Sequence, residues 1–208
     1  MYIPKRYKAK DLETSLEIIR QNAFATLMSN QDGQIQATHI PILLEERADA
    51  KLFLICHLAA ANPQSQAFIK SEGKEVLAIF QGPHAYISPS LYKSSRNVPT
   101  WNYVAAHVHG ILKVVEPLEK QLEVLEKTIL AFEPAYMEQW TQLPQEYKAA
   151  MCQEITAVEI EITKLEGKTK LSQNKTKEEQ DRIANKLIKS LDSQESRLGQ
   201  WMLDNLDR

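Results

Sequence analysis

Apolar residues alternate with polar ones in several short runs and recur at helical spacing in others, which predicts a mixed α and β protein. The predicted strands are, in chain order, 24–29, 34–44, 51–57, 76–80, 101–115 and 155–165. The predicted helices are 11–20, 63–73, 117–132, a short one from 144, 176–191 and a last turn or two over 198–206. Many strands with few helical crossovers predict an antiparallel sheet, which we expect to close into a small barrel with helices outside.

Two features of the sequence limit where these predicted strands can extend. Residues 81–100 are rich in Pro, Ser, Tyr and Gly and predict a long loop, and long loops in compact domains usually carry function. Pro41 is expected at an edge or bend, because proline cannot donate to a sheet. We expect a barrel domain over 1–166 and, packed on it, a C-terminal loop and helical segment over 167–208.

The composition is that of an ordinary folded protein, with 43% hydrophobic and 25% charged residues and a net charge of −2. This average charge does not argue for an electrostatic nucleic-acid binder. Two distant cysteines, Cys56 and Cys152, suit a reducing compartment. The chain opens without the apolar run of a signal peptide and has no window long enough to span a bilayer, so we expect a cytoplasmic protein.

His57, Asn62 and Gln64 surround the predicted junction of a strand and a helix. Unpaired N–H groups at a helix start favour a bound phosphate, so these residues are candidates to hold a phosphoryl group. In the simpler interpretation Asn62 only caps the helix, and caps are commoner than phosphate sites. Thr38 and His39 on the second strand are candidates to line a pocket, although a strand histidine bonded to backbone would show the same pattern.

Aromatic rings are concentrated in two segments. Residues 82–92 combine flat rings, hydroxyls and stiff backbone, which suit a planar heteroaromatic ligand and a surface loop pinned by tyrosines equally well. Trp101, Asn102 and Tyr103 open the long strand, where Trp and Tyr suit a subunit interface or a ligand rim. The alternative for Trp101 is a place in the core.

Histidines and lysines raise two further questions. His107 and His109 share a strand face, but no carboxylate or cysteine accompanies them at ligand spacing, so we expect no metal site. Residues 168–175 are rich in donors and basic charge, which suits a phosphate, an acidic partner or only solvent. No nucleophile elbow, Gly-rich phosphate loop or recognition-helix pair is present, so the catalytic residues are unknown.

Six segments, in order, resemble the PaiB-like family of FMN-binding negative transcriptional regulators. They are MYIP (1–4), ATHIP (37–41), HLA followed by ANPQ (57–64), FQGPHAYISPS (80–90), VPTWNY (98–103) and KLSQN (170–174). The resemblance runs over nearly the whole chain. It implies an FMN-binding split barrel, related in fold to the pyridoxamine phosphate oxidases, and a homodimer with flavin at the subunit interface.

The matching segments also carry the site residues that the resemblance implies. These expected FMN contacts are Thr38, His39, His57, Asn62, Gln64, Trp101, Asn102 and Tyr103, with Lys170, Ser172 and Gln173 coming from the partner subunit. The family pattern has an arginine and a tryptophan where this chain has Ala60 and Ser65, and the segment 92–98 is shortened. Loss of the arginine removes a bidentate phosphate partner. The candidate replacements for that cation are Lys93, Arg96, Lys170 and Lys175.

Three functions are open at this point. The first is an FMN-binding repressor that acts on DNA directly or indirectly. The second is an FMN-dependent oxidoreductase whose aromatic segment covers a small substrate. The third, suggested by Ala60 and Ser65, is an interaction scaffold without a cofactor.

Overall fold

A computed structural model describes residues 1–70, 73–93 and 96–205, and within these ranges the chain forms seven strands and seven α-helices. The strands are β1 (Phe24–Gln31), β2 (Gln34–Pro41), β3 (Leu43–Glu46), β4 (Leu52–Ala59), β5 (Lys74–Ile87), β6 (Thr100–Val114) and β7 (Ile155–Lys170). The helices are α1 (Leu12–Gln21), α2 (Pro63–Lys70), α3 (Leu118–Phe132), α4 (Met137–Gln142), α5 (Gln145–Gln153), α6 (Lys177–Ile188) and α7 (Ser193–Asn205). None of the described helices combines the length and the apolarity that crossing a membrane requires.

The seven strands form one sheet in the order β2-β1-β5-β6-β7-β4-β3. β1 pairs antiparallel with β2 and β5, and β4 pairs antiparallel with β3 and β7. The β1–β2 hairpin turns at Asp32 and Gly33, which both have positive φ, a conformation that Asp-Gly pairs favour in two-residue hairpin loops. β2 is an outer strand and ends at Pro41, so the expected place of this proline at an edge or bend is confirmed.

The chain divides into two compact units. Unit 1 comprises Met1–Asn22, Phe80–His107 and the described residues from Glu166 onward, and unit 2 comprises Ala23–Ile79 and Val108–Leu165. β5, β6 and β7 contribute residues to both. The boundary that we predict after residue 166 falls within β7, and the division into a barrel and a C-terminal segment stays a prediction.

Each unit has its own buried apolar core. In unit 1 the buried side chains include Ile18, Ile19, Phe80, Ile87, Val104, Leu171, Ile183, Leu198 and Met202. In unit 2 they include Leu27, Leu54, Leu58, Phe68, Leu112, Val158 and Ile160. Along β6 the even-numbered residues 102–112 are all buried, which is the two-residue period of a strand with one face in the core.

Helix starts follow the sequence closely. The Asp11 carboxylate accepts a hydrogen bond of 2.8 Å from the Thr14 N–H and caps α1. Thr176 and Glu179 form a capping box at the start of α6. Pro117 and Pro144 precede α3 and α5, where their missing N–H groups cost no helical bond.

The largest difference from the sequence prediction lies in β5. The strand continues to Ile87, so residues 81–87, predicted as part of a long loop, are extended sheet, and only 88–99 connect β5 to β6. Gly82 and Pro83 favour a turn by propensity, but a Cβ at Gly82 would collide with the Val104 side chain. Tertiary packing therefore requires glycine inside a strand, and the local turn signal was wrong.

Smaller differences have similar causes. The predicted strand 34–44 is broken at Ile42, whose N–H bonds the Ala23 carbonyl at 2.8 Å, and its second part is β3. β7 continues five residues past the predicted end at Leu165, and α4 was not predicted. α6 ends at Ile188, three residues before the predicted end at 191, and Leu191 is fully exposed. Leu206 lies outside the described residues.

We predict that Gly110→Ala lowers the free energy of unfolding by about 3 kcal/mol, because the new Cβ would lie 2.5 Å from the Glu161 carbonyl oxygen. Urea unfolding monitored by circular dichroism measures the change. Gly33→Ala is the control: it has open space but a φ of +83°, and strain alone costs about 1 kcal/mol. An equal or larger loss for Gly33→Ala contradicts the packing explanation.

Candidate functional site

Asn62 directly precedes α2 in unit 2. Its side-chain oxygen accepts a hydrogen bond of 2.9 Å from the Gln64 N–H, and its amide donates to the Thr38 hydroxyl at 3.1 Å. Asn62 is thus a helix cap, as the simpler interpretation expects, and it brings Thr38 of β2 to the helix start. The contact of both residues with a phosphoryl group stays a prediction.

Gln64 is turned into the interior of unit 2 and is 1% exposed. Its amide donates to the Leu27 carbonyl at 3.3 Å and to the Ser29 hydroxyl at 2.9 Å, which ties α2 to β1. Its side-chain oxygen is buried and has no hydrogen-bond partner among the described residues. Ser65 is also buried, and its hydroxyl donates to the Ala59 carbonyl at 2.9 Å.

His39 and His57 occupy different surroundings in unit 2. Neighbouring residues of a strand face opposite sides, so His39 points away from Thr38, lies exposed, and contacts the Thr26 hydroxyl at 2.9 Å. Its ring also stacks on Phe24, with 6.4 Å between the ring centroids. His57 is half-buried on β4 opposite Ala157, and burial lowers its pKa.

Three aromatic rings meet in unit 1. The ring centroids of His84 and Trp101 are 5.9 Å apart, and Tyr86 meets Trp101 edge-on at 6.3 Å. Trp101 is 53% exposed, so it is not the core tryptophan of the alternative interpretation. Tyr103 follows on the same face of β6, where the Lys168 ammonium lies 5.0 Å from its ring.

A second feature of unit 1 is a cleft of about 260 Å³, here called the lysine cleft. It is lined by Tyr7, Tyr92, Arg96, Asn97, Val98, Thr100, Asn102, Lys170, Ser172, Asn174 and Lys175. Of the described residues that line it, three are cations and none is a carboxylate. The cleft therefore has the composition of an anion site.

The floor of the lysine cleft is built around Asn102. This side chain is fully buried, and its amide donates to the Ser172 hydroxyl at 2.8 Å. Its side-chain oxygen lacks a hydrogen-bond partner among the described residues. Buried polar atoms are normally paired, so this oxygen is positioned to accept from a ligand N–H or O–H group.

Two lysines lie above this floor. The Lys170 ammonium donates to the Thr100 hydroxyl at 2.5 Å, and the Lys175 ammonium donates to Asn97 at 2.5 Å and lies 4.1 Å from the centre of the Tyr92 ring. Burial, followed by the charge of Lys168, lowers the pKa of Lys170. Burial also raises the pKa of Tyr92, whereas its hydrogen bond with Ser172 acts in the opposite direction and lowers that pKa.

The loop after β7 holds these groups in place. Ser172 has a φ of +65°, a left-handed conformation that costs free energy for a residue with a Cβ. The Gln173 side chain bonds the Thr169 carbonyl and accepts from the Leu171 N–H at 2.8 Å, so it braces the loop. The Lys175 N–H closes the turn on the Ser172 carbonyl at 2.9 Å.

The structure thus brings Asn102, Lys170 and Ser172 together, with Gln173 as a brace, and separately joins Thr38, Asn62 and Gln64. Sequence reasoning missed Tyr7, Asn97 and Thr100, because nothing in the local pattern marks residue 7, the segment 96–102 and the segment 170–175 as neighbours. Among the described residues no group of three or more His, Cys, Asp or Glu side chains is arranged to hold a metal ion.

We predict that Ser172→Ala lowers the free energy of unfolding by about 1–3 kcal/mol, because it removes the hydroxyl that the buried Asn102 amide bonds. Both residues carry a Cβ, so the left-handed φ affects them alike. Thermal and urea unfolding measure the loss. Ser90→Ala, an exposed serine in the same unit, should change stability by less than about 0.5 kcal/mol. Equal effects of the two substitutions contradict this account of the floor.

Comparisons with known proteins show the family and the fold of the chain. The profile of a family described as "Putative FMN-binding domain" matches residues 1–164. The chain is 31% identical over 211 residues to the "Protease synthase and sporulation protein PAI 2" of Bacillus subtilis, covering 100% of this chain and 99% of that protein. It is 28% identical over 222 residues to an uncharacterised protein of Emericella nidulans, covering 88% of each.

Solved structures show the same fold at low sequence identity. A FAD- and heme-binding protein of Mycobacterium smegmatis is 16% identical with a TM-score of 0.61, covering 79% of this chain and 73% of that one. The flavocytochrome Anf3 of Azotobacter vinelandii is 13% identical with a TM-score of 0.63, covering 81% and 72%. The predicted split-barrel fold, α+β with an antiparallel sheet, is confirmed. The chain belongs to the PaiB-like family of FMN-binding domains, whose cofactor is FMN.

Proposed function

We propose that this protein is a cytoplasmic homodimer that binds FMN and acts as a negative transcriptional regulator. The observation that carries the proposal is the 31% identity with the sporulation protein PAI 2, which extends over the whole chain. A match of that extent covers the barrel strands and the C-terminal helices together. The regulator role, the dimer and the cytoplasmic location are the parts of the proposal that experiments must establish.

The residues present fit FMN. The ligand combines a phosphate, a polyol chain with hydroxyl donors and a flat ring system. The lysine cleft offers cations and a buried unpaired acceptor on Asn102, which suit the phosphate and the polyol chain. The rings of His84, Tyr86 and Trp101 lie outside the lining of the cleft, on the face of β6 opposite Asn102, and offer a separate aromatic surface. When bound, FMN supplies one- and two-electron redox chemistry. The remaining predicted contacts, at Thr38, His39, His57, Asn62, Gln64 and Tyr103, are part of the proposal.

The proposed dimer is supported by apolar side chains on the β1–β2 hairpin of unit 2. Phe24 is 70% exposed and Ile35 is 71% exposed, and both lie on the face opposite the buried core residues of these strands. Ile35 and Met28 also line an open depression of about 530 Å³ on the same face. Phe24 and Ile35 lie at opposite ends of the β1–β2 ladder, with Met28 between them on the same face. A second copy of the chain is the occupant that we propose for this face.

A second candidate function, an FMN-dependent oxidoreductase, is favoured by one observation. The exposed Trp101 with its neighbours His84 and Tyr86 forms a surface on which a planar substrate can stack. A nicotinamide donor that bleaches the bound flavin, followed by reoxidation by a defined acceptor, would support this function. Failure of all such donors to bleach the flavin would exclude the oxidoreductase function.

We predict that apo-protein titrated with FMN binds one flavin per chain, with a shifted flavin absorption spectrum.

Deletion of the gene in its own host should raise transcription of a defined gene set, and the wild-type gene should restore repression. If the protein binds promoter DNA directly, that binding should weaken steeply with salt. Absence of flavin binding contradicts the proposal and favours the cofactor-free scaffold, and an unchanged transcript profile contradicts the regulator role.

We predict that Ile35→Asp shifts the protein from dimer to monomer, because a carboxylate at an apolar interface loses its hydration without gaining a partner. Size-exclusion chromatography with light scattering measures the mass. Ile69→Asp is the matched control, since Ile69 is an exposed isoleucine of unit 2 on α2. A wild-type monomer, or a dimer that Ile35→Asp leaves intact, contradicts the proposed interface.

A further inference from the structure

A phosphate group in a protein needs cations or several free N–H donors around it. At the start of α2 the side chains of Thr38, Asn62 and Gln64 supply no cation. The Asn62 cap already occupies the Gln64 N–H, and the preceding Ala60 N–H bonds the Glu154 carbonyl at 2.9 Å. The helix start therefore offers little of what a phosphate dianion requires.

The lysine cleft offers what the helix start lacks. Three of its eleven lining residues are cations, and hydroxyl and amide groups make up all but one of the rest. The first two carboxylates after its loop, Glu178 and Glu179, do not line it. Glu178 pairs with Lys93 and Arg182, and Glu179 accepts from the Lys93 N–H at 3.0 Å and from Thr176. The Lys93 N–H is the main cause that lowers the pKa of Glu179, and the charge of Lys175 is a lesser one. Because none of the described lining residues is a carboxylate, a bound anion would stabilise the partly buried positive charge of the cleft.

The two lysines are also held in place. Thr100 fixes the Lys170 ammonium, and Asn97 and the Tyr92 ring fix the Lys175 ammonium. An ammonium that is already oriented loses less rotamer entropy when it meets a ligand. Burial and the charge of Lys168 lower the pKa of Lys170, and a bound dianion would relieve that repulsion.

We propose that the lysine cleft binds the phosphate of FMN, with Lys170 and Lys175 as its counter-charges; this rests on the proposed function. The volume of about 260 Å³ is below the roughly 300–1,000 Å³ of sites that enclose a whole drug-sized ligand. The cleft therefore takes the phosphate end of the flavin and leaves the ring system outside. The unpaired Asn102 oxygen accepts from a hydroxyl of the polyol chain.

Comparison of FMN with riboflavin tests the proposal, because riboflavin lacks only the phosphate. Affinities of full-length wild type for both flavins are measured by fluorescence titration. Lys170→Gln and Lys175→Gln should each weaken FMN binding by about tenfold to a hundredfold and leave riboflavin binding unchanged. Lys170→Arg should retain most of the FMN affinity. Inorganic phosphate should compete with FMN and not with riboflavin.

Lys186→Gln is the matched control, since it removes the same charge from the exposed face of α6 in the same unit. Circular dichroism checks that each variant folds, and two independent lysine variants keep the test usable if one does not. An FMN-to-riboflavin preference that survives both lysine substitutions, or that Asn62→Ala removes instead, overturns the cleft as the phosphate site and leaves FMN binding intact. A wild-type protein that binds neither flavin overturns the proposed function as well.

Discussion

The hydrogen bond from the buried Asn102 amide to Ser172 joins the first residues of β6 to the loop that follows β7. Both partners are buried, so an unpaired group at either end would carry the full cost of desolvation. The bond fixes where the loop leaves the sheet and thereby where Lys175 and the start of α6 lie. Because Thr100 and Lys170 are held on the same two strands, the lysine cleft depends on this junction.

Charge distribution decides which feature of the molecule suits an anion. A net charge of −2 describes the chain as a whole, but carboxylates are absent from the described lining of the lysine cleft. In unit 2 the opposite holds, because Arg47 pairs with Glu159 at 2.7 Å and Lys127 pairs with Glu45 at 2.5 Å. Cations paired in this way are already neutralised by a carboxylate and are less available to a ligand.

Much of the fold could be predicted from the sequence, because short-range rules govern it. Asp11 and Thr176 cap helices by local hydrogen bonds, Gly33 permits a turn, and the alternation along β6 assigns its two faces. The prediction was wrong where distant packing overrules local preference. Gly82 breaks strands by propensity, yet the neighbouring Val104 side chain requires a glycine there.

The candidate site could be predicted only in part for the same reason. The basic run at 168–175 pointed to Lys170 and Ser172, but the contributions of Thr100 and Asn97 arise only when β6 lies beside β7. Asn62 and Gln64 fit two interpretations by sequence, and their hydrogen bonds show a cap and a buried brace. The role of each in binding FMN depends on contacts between residues that are distant in sequence, and the spacing of residues along the chain does not predict such contacts.

The crystal structure of this protein with FMN tests the central claim most directly. The account predicts a flavin whose phosphate oxygens lie within hydrogen-bond distance of the Lys170 and Lys175 ammonium groups, with a polyol hydroxyl on the Asn102 side chain. A phosphate seated at the start of α2, with the lysine cleft free of ligand, would contradict it.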